Sequence, residues 1–304
     1  MIRRTPEVDA ALRARVPIVA LESSVLAQGL PSPANREAAE RMSRAVRAAG
    51  AVPAVMAVVR GAAAAGLEPD ELERFLGGHG VRKVSARDVP LAMAQGADGA
   101  TTVAAAMMLA HAAGIEVLAT GGIGGVHRRP AFDESADLME LARTPVLVVC
   151  AGAKAILDLA ATAERLESLG VPVVGYRTNE MPAFWSRESG IPLGARAETP
   201  ADVAAAWRMH RALGRPQGMV VMQAPDASVA VSRAAVRRAV QGAERRASSK
   251  KVAGAALTPF MLAAVDAATK GRARRANVEL LEANAALAAA IARQLRPVGG
   301  ARDS

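Results

Sequence analysis

The chain has 304 residues, 51% of them hydrophobic, and a net charge of +9. That length suits one large α/β domain or two modest ones, with enough aliphatic residues for a sizeable core. Aromatics at 2% argue against a single-stranded nucleic-acid binder, which stacks bases on rings; a lone cysteine, Cys150, excludes internal disulfides and a thiolate metal cluster.

In chain order, the N-terminus MIRRTPEVDAALRARV carries arginines but no apolar run of the kind a secretory signal needs. VPIVALE (16–22) reads as a strand, SSVLAQGLPSP as a loop, and 35–49 as a helix stopped by Gly50. AVPAVMAVV (51–59) reads as a second strand whose start Pro53 weakens. Glu68-Pro69-Asp70 opens a short helix, VRKVS (81–85) is a brief strand, and GATTV (99–103) stands at the mouth of an alanine-rich helix. Further strands are expected at 115–122, 145–152, 171–178 and 218–225, with a capped helix starting at Thr199. After about residue 226 the pattern turns helical, over 232–247, 259–269 and 275–295. The strands are continuously apolar, as when helices cover both faces of a sheet. The expectation is therefore an α/β fold: a three-layer α/β/α sandwich around a mixed, mostly parallel sheet. It would form one domain over 1–304, with flexible ends at about 1–12 and 297–304. No stretch is long and apolar enough to span a bilayer, so a soluble, cytoplasmic protein is expected. The arginine clusters at 233–251 and 272–275 read as solvated helix faces rather than a nucleic-acid surface.

Lysine usage singles out two positions. Only five of the 38 basic residues are lysine, and the first 249 residues keep just Lys83 and Lys154. Arginine stays charged, whereas a desolvated lysine can lose its proton and act as a nucleophile. Both lysines follow apolar strand-like runs, and Glu22 ends the first such run. If the sheet is parallel there, Glu22 and Lys154 project from one edge, where open α/β sheets place ligands.

The stretch ATGGIGGVHRRPAFDESADL (119–138) is glycine-rich but fails the dinucleotide fingerprint, because His127 replaces the third glycine. Its backbone amides could still approach an anion. Asp133, Glu134 and Asp137 around Ser135 could hold a hard divalent ion with waters or merely cap the following helix. The helix mouth at GATTV offers a phosphate site, with Lys83 as a point charge. Cys150, inside the valine run, reads as inert packing.

VALESS with QGLPSPAN, RKVSARDVP, GATTVAAAM, ATGGIGGVHR, FDESADL, VVCAGAKAILD and LTPFMLAAV occur in the same order as in pseudouridine-5′-phosphate glycosidases, also called indigoidine synthase A-like proteins. The chain resembles that family from about Ile18 to Leu295. The resemblance implies reversible cleavage of the carbon–carbon glycosidic bond of pseudouridine 5′-phosphate to ribose 5-phosphate and uracil. It implies a nucleophilic Lys154 that forms an imine, and Glu22 as proton donor. Lys83, Val103, Ser135, Ala136, Asp137, His127 and Asn277 would contact substrate, and Asp133 would bind a divalent metal, Mn2+ in most members. A homotrimer is implied as well. For the chemistry, Lys154 must be partly neutral near pH 7, which burial and nearby positive charge would favour. Three departures stand out: Gln28 where many relatives carry histidine, a shorter 127–133 segment, and Gln223-Ala-Pro-Asp in place of an asparagine–proline pattern. The alternative is an imine-forming relative that acts on another phosphosugar conjugate.

Overall fold

The computed structural model describes residues 2–128, 133–252 and 254–296. The expected frayed tail at 297–304 and most of the shortened 127–133 segment lie outside the described residues. Strands are β1 (Arg3–Arg4), β2 (Ile18–Glu22), β3 (Val52–Val59), β4 (Ala62–Ala65), β5 (Arg82–Val84), β6 (Gly99–Thr101), β7 (Val117–Ala119), β8 (Leu147–Cys150), β9 (Val173–Tyr176), β10 (Arg196–Ala197) and β11 (Met219–Gln223). Helices are α1 (Pro6–Arg13), α2 (Ala34–Ala48), α3 (Pro69–Gly77), α4 (Val89–Ala94), α5 (Val103–Ala113), α6 (Ala136–Leu141), α7 (Leu159–Ser168), α8 (Pro200–Ala212), α9 (Arg233–Ser249), α10 (Leu257–Ala268) and α11 (Arg272–Gln294).

The strands form one sheet in the order β1-β4-β3-β2-β7-β8-β11-β9-β10, with β6 joining β3 to β5. Pairing is parallel except where β3 meets β4 and β6. The mixed, mostly parallel α/β architecture is thus as expected. β2, β7 and β8 are wholly buried, which is why their sequences are unbroken apolar runs rather than alternating ones. Truncating a fully buried side chain such as Leu118 to alanine should cost about 3 kcal/mol.

Two helical packings frame the site. α5 is apolar nearly all round and is buried from Val103 to Ala113 apart from a few positions, so it lies inside the molecule. Thr102 caps its start and Gly114, at φ +81°, ends it. α11 packs along α2 and over β7 and β8. Arg41 of α2 fixes that pairing by donating to Glu279 and Glu282 of α11, both at 2.6 Å.

Several local expectations change. The end expected to be flexible over about 1–12 instead forms β1 and most of α1, and Val8 is buried against the core. Pro53 does not weaken the start of β3, which runs from Val52: Pro53 pairs with Val19 of β2 on one side, and its other side has no strand because β4 pairs only with Met56–Val59. The expected loop after β2 contains a π-helical turn over Val25–Gly29, closed by Leu30 N–H donating to Val25 C=O at 3.0 Å. GATTV is split, with Gly99–Thr101 forming β6 before the helix begins.

Candidate active site

β2, β7 and β8 are adjacent and parallel, so their carboxyl ends open on one edge. Glu22 is the last residue of β2, Thr120 and Gly121 follow β7, and Lys154 follows β8. A crevice lies at that edge. Glu22, Lys83, Lys154 and Asn277 line it, joined by Gln28 and Phe184. Four residues far apart in sequence are thereby brought to one space.

Glu22 is buried and held at both oxygens. Thr120 Oγ1 donates to Oε1 at 2.5 Å and Ser24 Oγ donates to Oε2 at 2.6 Å. Each carboxyl oxygen retains a further site, so a proton can reside there without breaking either bond. Neither lysine is used for structure. Among the described residues every salt bridge takes an arginine or His127 as its cation, and none takes a lysine. Solvent reaches Lys83, but the crevice walls crowd it. That desolvation, followed by the Lys154 ammonium, lowers the Lys83 pKa; Glu22 and Asp137 oppose the shift. Cys150 lies in β8 behind Lys154, and burial pushes its thiol up to about 12, which leaves it inert.

The glycines around Lys154 serve close packing. Gly152, at φ +82°, leaves no room for a Cβ, which would lie 2.2 Å from the Pro182 carbonyl. At Gly122 a Cβ would strike the Phe184 ring at 2.7 Å. Phe184 itself sits at φ +59°, a strained position for a non-glycine residue, and its N–H donates to Ala151 C=O at 3.0 Å. The 182–184 segment is thus clamped over the turn that carries Lys154.

The remaining expected residues lie off the crevice wall. Asp137 is buried; its Oδ1 accepts from Ala104 N at 2.9 Å and its Oδ2 from Gly124 N at 2.7 Å. The anion at the α5 N-terminus is therefore this carboxylate, which also takes the glycine-loop amide. The expected phosphate site at GATTV is corrected to that extent: an internal carboxylate occupies the Ala104 amide. Ser135, not a carboxylate, caps α6, accepting from Asp137 N at 3.2 Å, and Ala136 opens that helix. Val103 is buried in the first turn of α5. His127 borders a different cavity, between its own loop and α9 and α10.

Asp133 lies with its Oδ1 3.3 Å from His127 Nδ1, a buried nitrogen without a hydrogen bond of proper geometry. Glu134 is engaged by Arg165 at 2.9 Å. No group of three or more His, Cys, Asp or Glu is poised for a metal among the described residues. A hard cation would find one carboxylate and one unpartnered imidazole nitrogen, and water would complete its shell. That donor set fits a hydrated divalent ion and does not make a protein cage.

Sequence reading missed Thr120, Phe184 and Asn284. Asn284 Nδ2 donates to Thr120 C=O at 2.9 Å from the face of α11 that also carries Asn277. Two asparagines about two turns apart on the alanine- and leucine-rich face of a helix were a readable signal. Phe184 had none, since its place depends on the clamp over Gly152.

The fold and this crevice define an α/β enzyme with a lysine–carboxylate site at the carboxyl edge of its sheet. The family model described as "Indigoidine synthase A like protein" matches residues 7–294. The chain is 58% identical over 290 residues to the pseudouridine-5′-phosphate glycosidase of Gemmatimonas aurantiaca, covering 95% of each chain. It is 50% identical to that of Herpetosiphon aurantiacus, covering 94% of this chain and 95% of the relative. Among solved structures, the prealnumycin C-glycosynthase AlnA in complex with ribulose 5-phosphate superposes with a TM-score of 0.90 at 38% identity, covering 97% of both chains. An indigoidine synthase A-like protein from Thermotoga maritima gives 0.89 at 34%, with the same coverage. The chain belongs to the indigoidine synthase A-like family.

Proposed function

We propose that this enzyme reversibly cleaves pseudouridine 5′-phosphate to ribose 5-phosphate and uracil through an imine on Lys154. The observation that carries the reading is the meeting of an unpaired Lys154 amine and the Glu22 carboxyl in one crevice, in a chain whose relatives bear that activity as their name. A C-glycoside offers no leaving heteroatom, so the usual two-carboxylate scheme has nothing to protonate at the bond that breaks. Glu22 instead protonates the ring oxygen while neutral Lys154 attacks the anomeric carbon, and the carbon–oxygen ring bond opens. The nitrogen lone pair then forms the carbon–nitrogen double bond as the carbon–carbon bond breaks. The electron pair passes to the pyrimidine carbon, which takes a proton, and uracil leaves. Water hydrolyses the imine, returning the amine and ribose 5-phosphate.

Lys83 supplies positive charge to the phosphorylated sugar. Asp133, with His127, would hold a manganese ion, which would add positive charge near the substrate's oxygens. Ser135, Ala136, Asp137 and Val103 act from behind the wall by fixing the helix and loop that frame the crevice. A homotrimer and a cytoplasmic setting belong to the same reading and rest on the family resemblance; no helix of the described residues is long and apolar enough to cross a membrane.

Borohydride reduction during turnover, read by mass spectrometry, tests the imine. A ribose 5-phosphate adduct on Lys154 is expected, and an adduct elsewhere or none overturns the mechanism. The AlnA likeness favours one second reading, in which the same imine joins a phosphosugar to a different carbon partner. Absence of uracil release together with a trapped Lys154 adduct would select it.

A further inference from the structure

Thr120 is 1% exposed, and among the described residues its hydroxyl has one hydrogen-bond partner, Glu22 Oε1 at 2.5 Å. Its backbone is pinned from two elements. The N–H donates to Val149 C=O of β8 at 3.0 Å, and the C=O accepts from Asn284 Nδ2 of α11 at 2.9 Å. Ser24, which holds the other carboxyl oxygen, is placed differently: it is half-buried and lines the crevice, and Thr120 does not. The two oxygens of Glu22 are therefore unequal. Oε1 is tied to an interior hydroxyl and Oε2 to one on the crevice wall. A protonated carboxyl group has one carbonyl oxygen, the good acceptor, and one hydroxyl. A proton on Oε1 would leave Thr120 with the poorer acceptor, or turn it round so that its own hydrogen has no partner, the costly condition for a buried donor. With the proton on Oε2, Thr120 keeps the carbonyl oxygen, and the Ser24 hydrogen can turn to the open crevice.

We infer that Thr120 is a positioning residue: it keeps the Glu22 proton on Oε2 and fixes the plane of the carboxyl group, so that the acid meets the ring oxygen of the sugar as Lys154 attacks. This rests on the reading above. In that step the Oε2–H bond breaks and the proton passes to the ring oxygen as its bond to the anomeric carbon opens. Glu22 is left as a carboxylate that accepts from both hydroxyls. Thr120 stands behind the carboxyl group, off the crevice wall, and acts through Glu22 alone. A reacting group is held in line only as well as the side chains behind it are themselves held, and here two backbone hydrogen bonds hold Thr120.

The experiment follows uracil release from pseudouridine 5′-phosphate in wild type, in Thr120→Val, which keeps the shape and loses the hydroxyl, and in Thr120→Ser, which keeps the hydroxyl. Thr120→Val should lower kcat by about 10- to 100-fold, the scale of a reacting group held out of line, and should move KM less than about threefold. Thr120→Ser should stay within about threefold of wild type in both constants. A double-mutant cycle with Glu22→Gln separates positioning from packing. With the acidic proton already absent, Thr120→Val should change the residual kcat less than about threefold. Thr120→Ala takes the place of the valine variant if that one does not fold. An unchanged kcat on loss of the hydroxyl, no rescue by serine, or an undiminished loss in the Glu22→Gln background overturns the assignment. A wild-type chain that releases no uracil, or releases it with no borohydride-trapped adduct on Lys154, defeats the parent reading and this assignment with it. Uracil release with the Lys154 adduct, and no fall in kcat without the Thr120 hydroxyl, defeats the assignment alone.

Discussion

The crevice edge and the 124–137 loop are both dense in polar residues, yet they use them in opposite ways. At the edge of β2, β7 and β8, Lys83 and Lys154 face empty space and make no salt bridge among the described residues, while Glu22 is held by two hydroxyls. In the loop, Asp137 is consumed by two backbone amides and Gly124 is walled in, since a Cβ there would lie 2.1 Å from Ser135 Oγ. A charge left unpaired beside a cavity is available to a ligand. A charge saturated by backbone N–H groups holds the frame. Substitutions at the edge should therefore cost turnover and spare the fold, and those in the loop should do the reverse.

Lys154→Ala is the severest test of the edge. Removing a covalent nucleophile should lower turnover by about 10^4-fold or more with a Tm close to wild type. Residual activity within tenfold of wild type would erase the distinction. Glu22→Gln keeps an acceptor for one hydroxyl, presents an NH2 to which the other can turn and accept, and loses the acidic proton, so turnover should fall by roughly 10^2- to 10^4-fold while thermal unfolding moves far less. In the loop, Asp137→Ala strips the partner from two buried amides and should cost about 2–4 kcal/mol in denaturant unfolding. If stability holds and only substrate binding drops, Asp137 belongs with the edge after all.

Lys83 sharpens the contrast more gently. Lys83→Ala should weaken ribose 5-phosphate by about 10- to 100-fold and uracil much less, as expected for loss of a partly solvated charge pair with phosphate. Its pH behaviour has a definite sign. The protonated form binds phosphate, and its pKa is lowered from 10.5, so the affinity for ribose 5-phosphate should begin to fall at a lower pH than an ordinary lysine would give. The same shift means the fold holds this proton less tightly than the unfolded chain does. Its burden is full below the lowered pKa and is relieved as pH rises toward 10.5. Lys83→Arg, charged throughout, should flatten the binding limb. Chelation should have the smallest and most reversible effect, a rate loss restored by manganese, because Asp133 and His127 offer so few protein donors. An unaffected rate would return Asp133 to the loop's structural side.

Much of this was readable before any coordinates. Continuous apolar runs gave β2, β8 and β11, because a strand covered on both faces has no polar side to alternate with. The scarcity of lysine marked Lys83 and Lys154, since among the described residues arginine serves ion pairs in which a lysine could have stood, such as those to Glu73 and Asp98. Ordered motifs supplied the family. Other features are not encoded locally. That Glu22 and Lys154 share an edge depends on β7 inserting in parallel between β2 and β8. That Asp137 points inward to α5, that Phe184 is clamped over Gly152, and that Gln28 keeps a bare oxygen depend on contacts between segments scores of residues apart. Residue type and short-range period set which groups exist and which strands form. Only the closing of distant chain segments on one another, where each buried polar atom finds or fails to find a partner, decided which of those groups were left for a ligand.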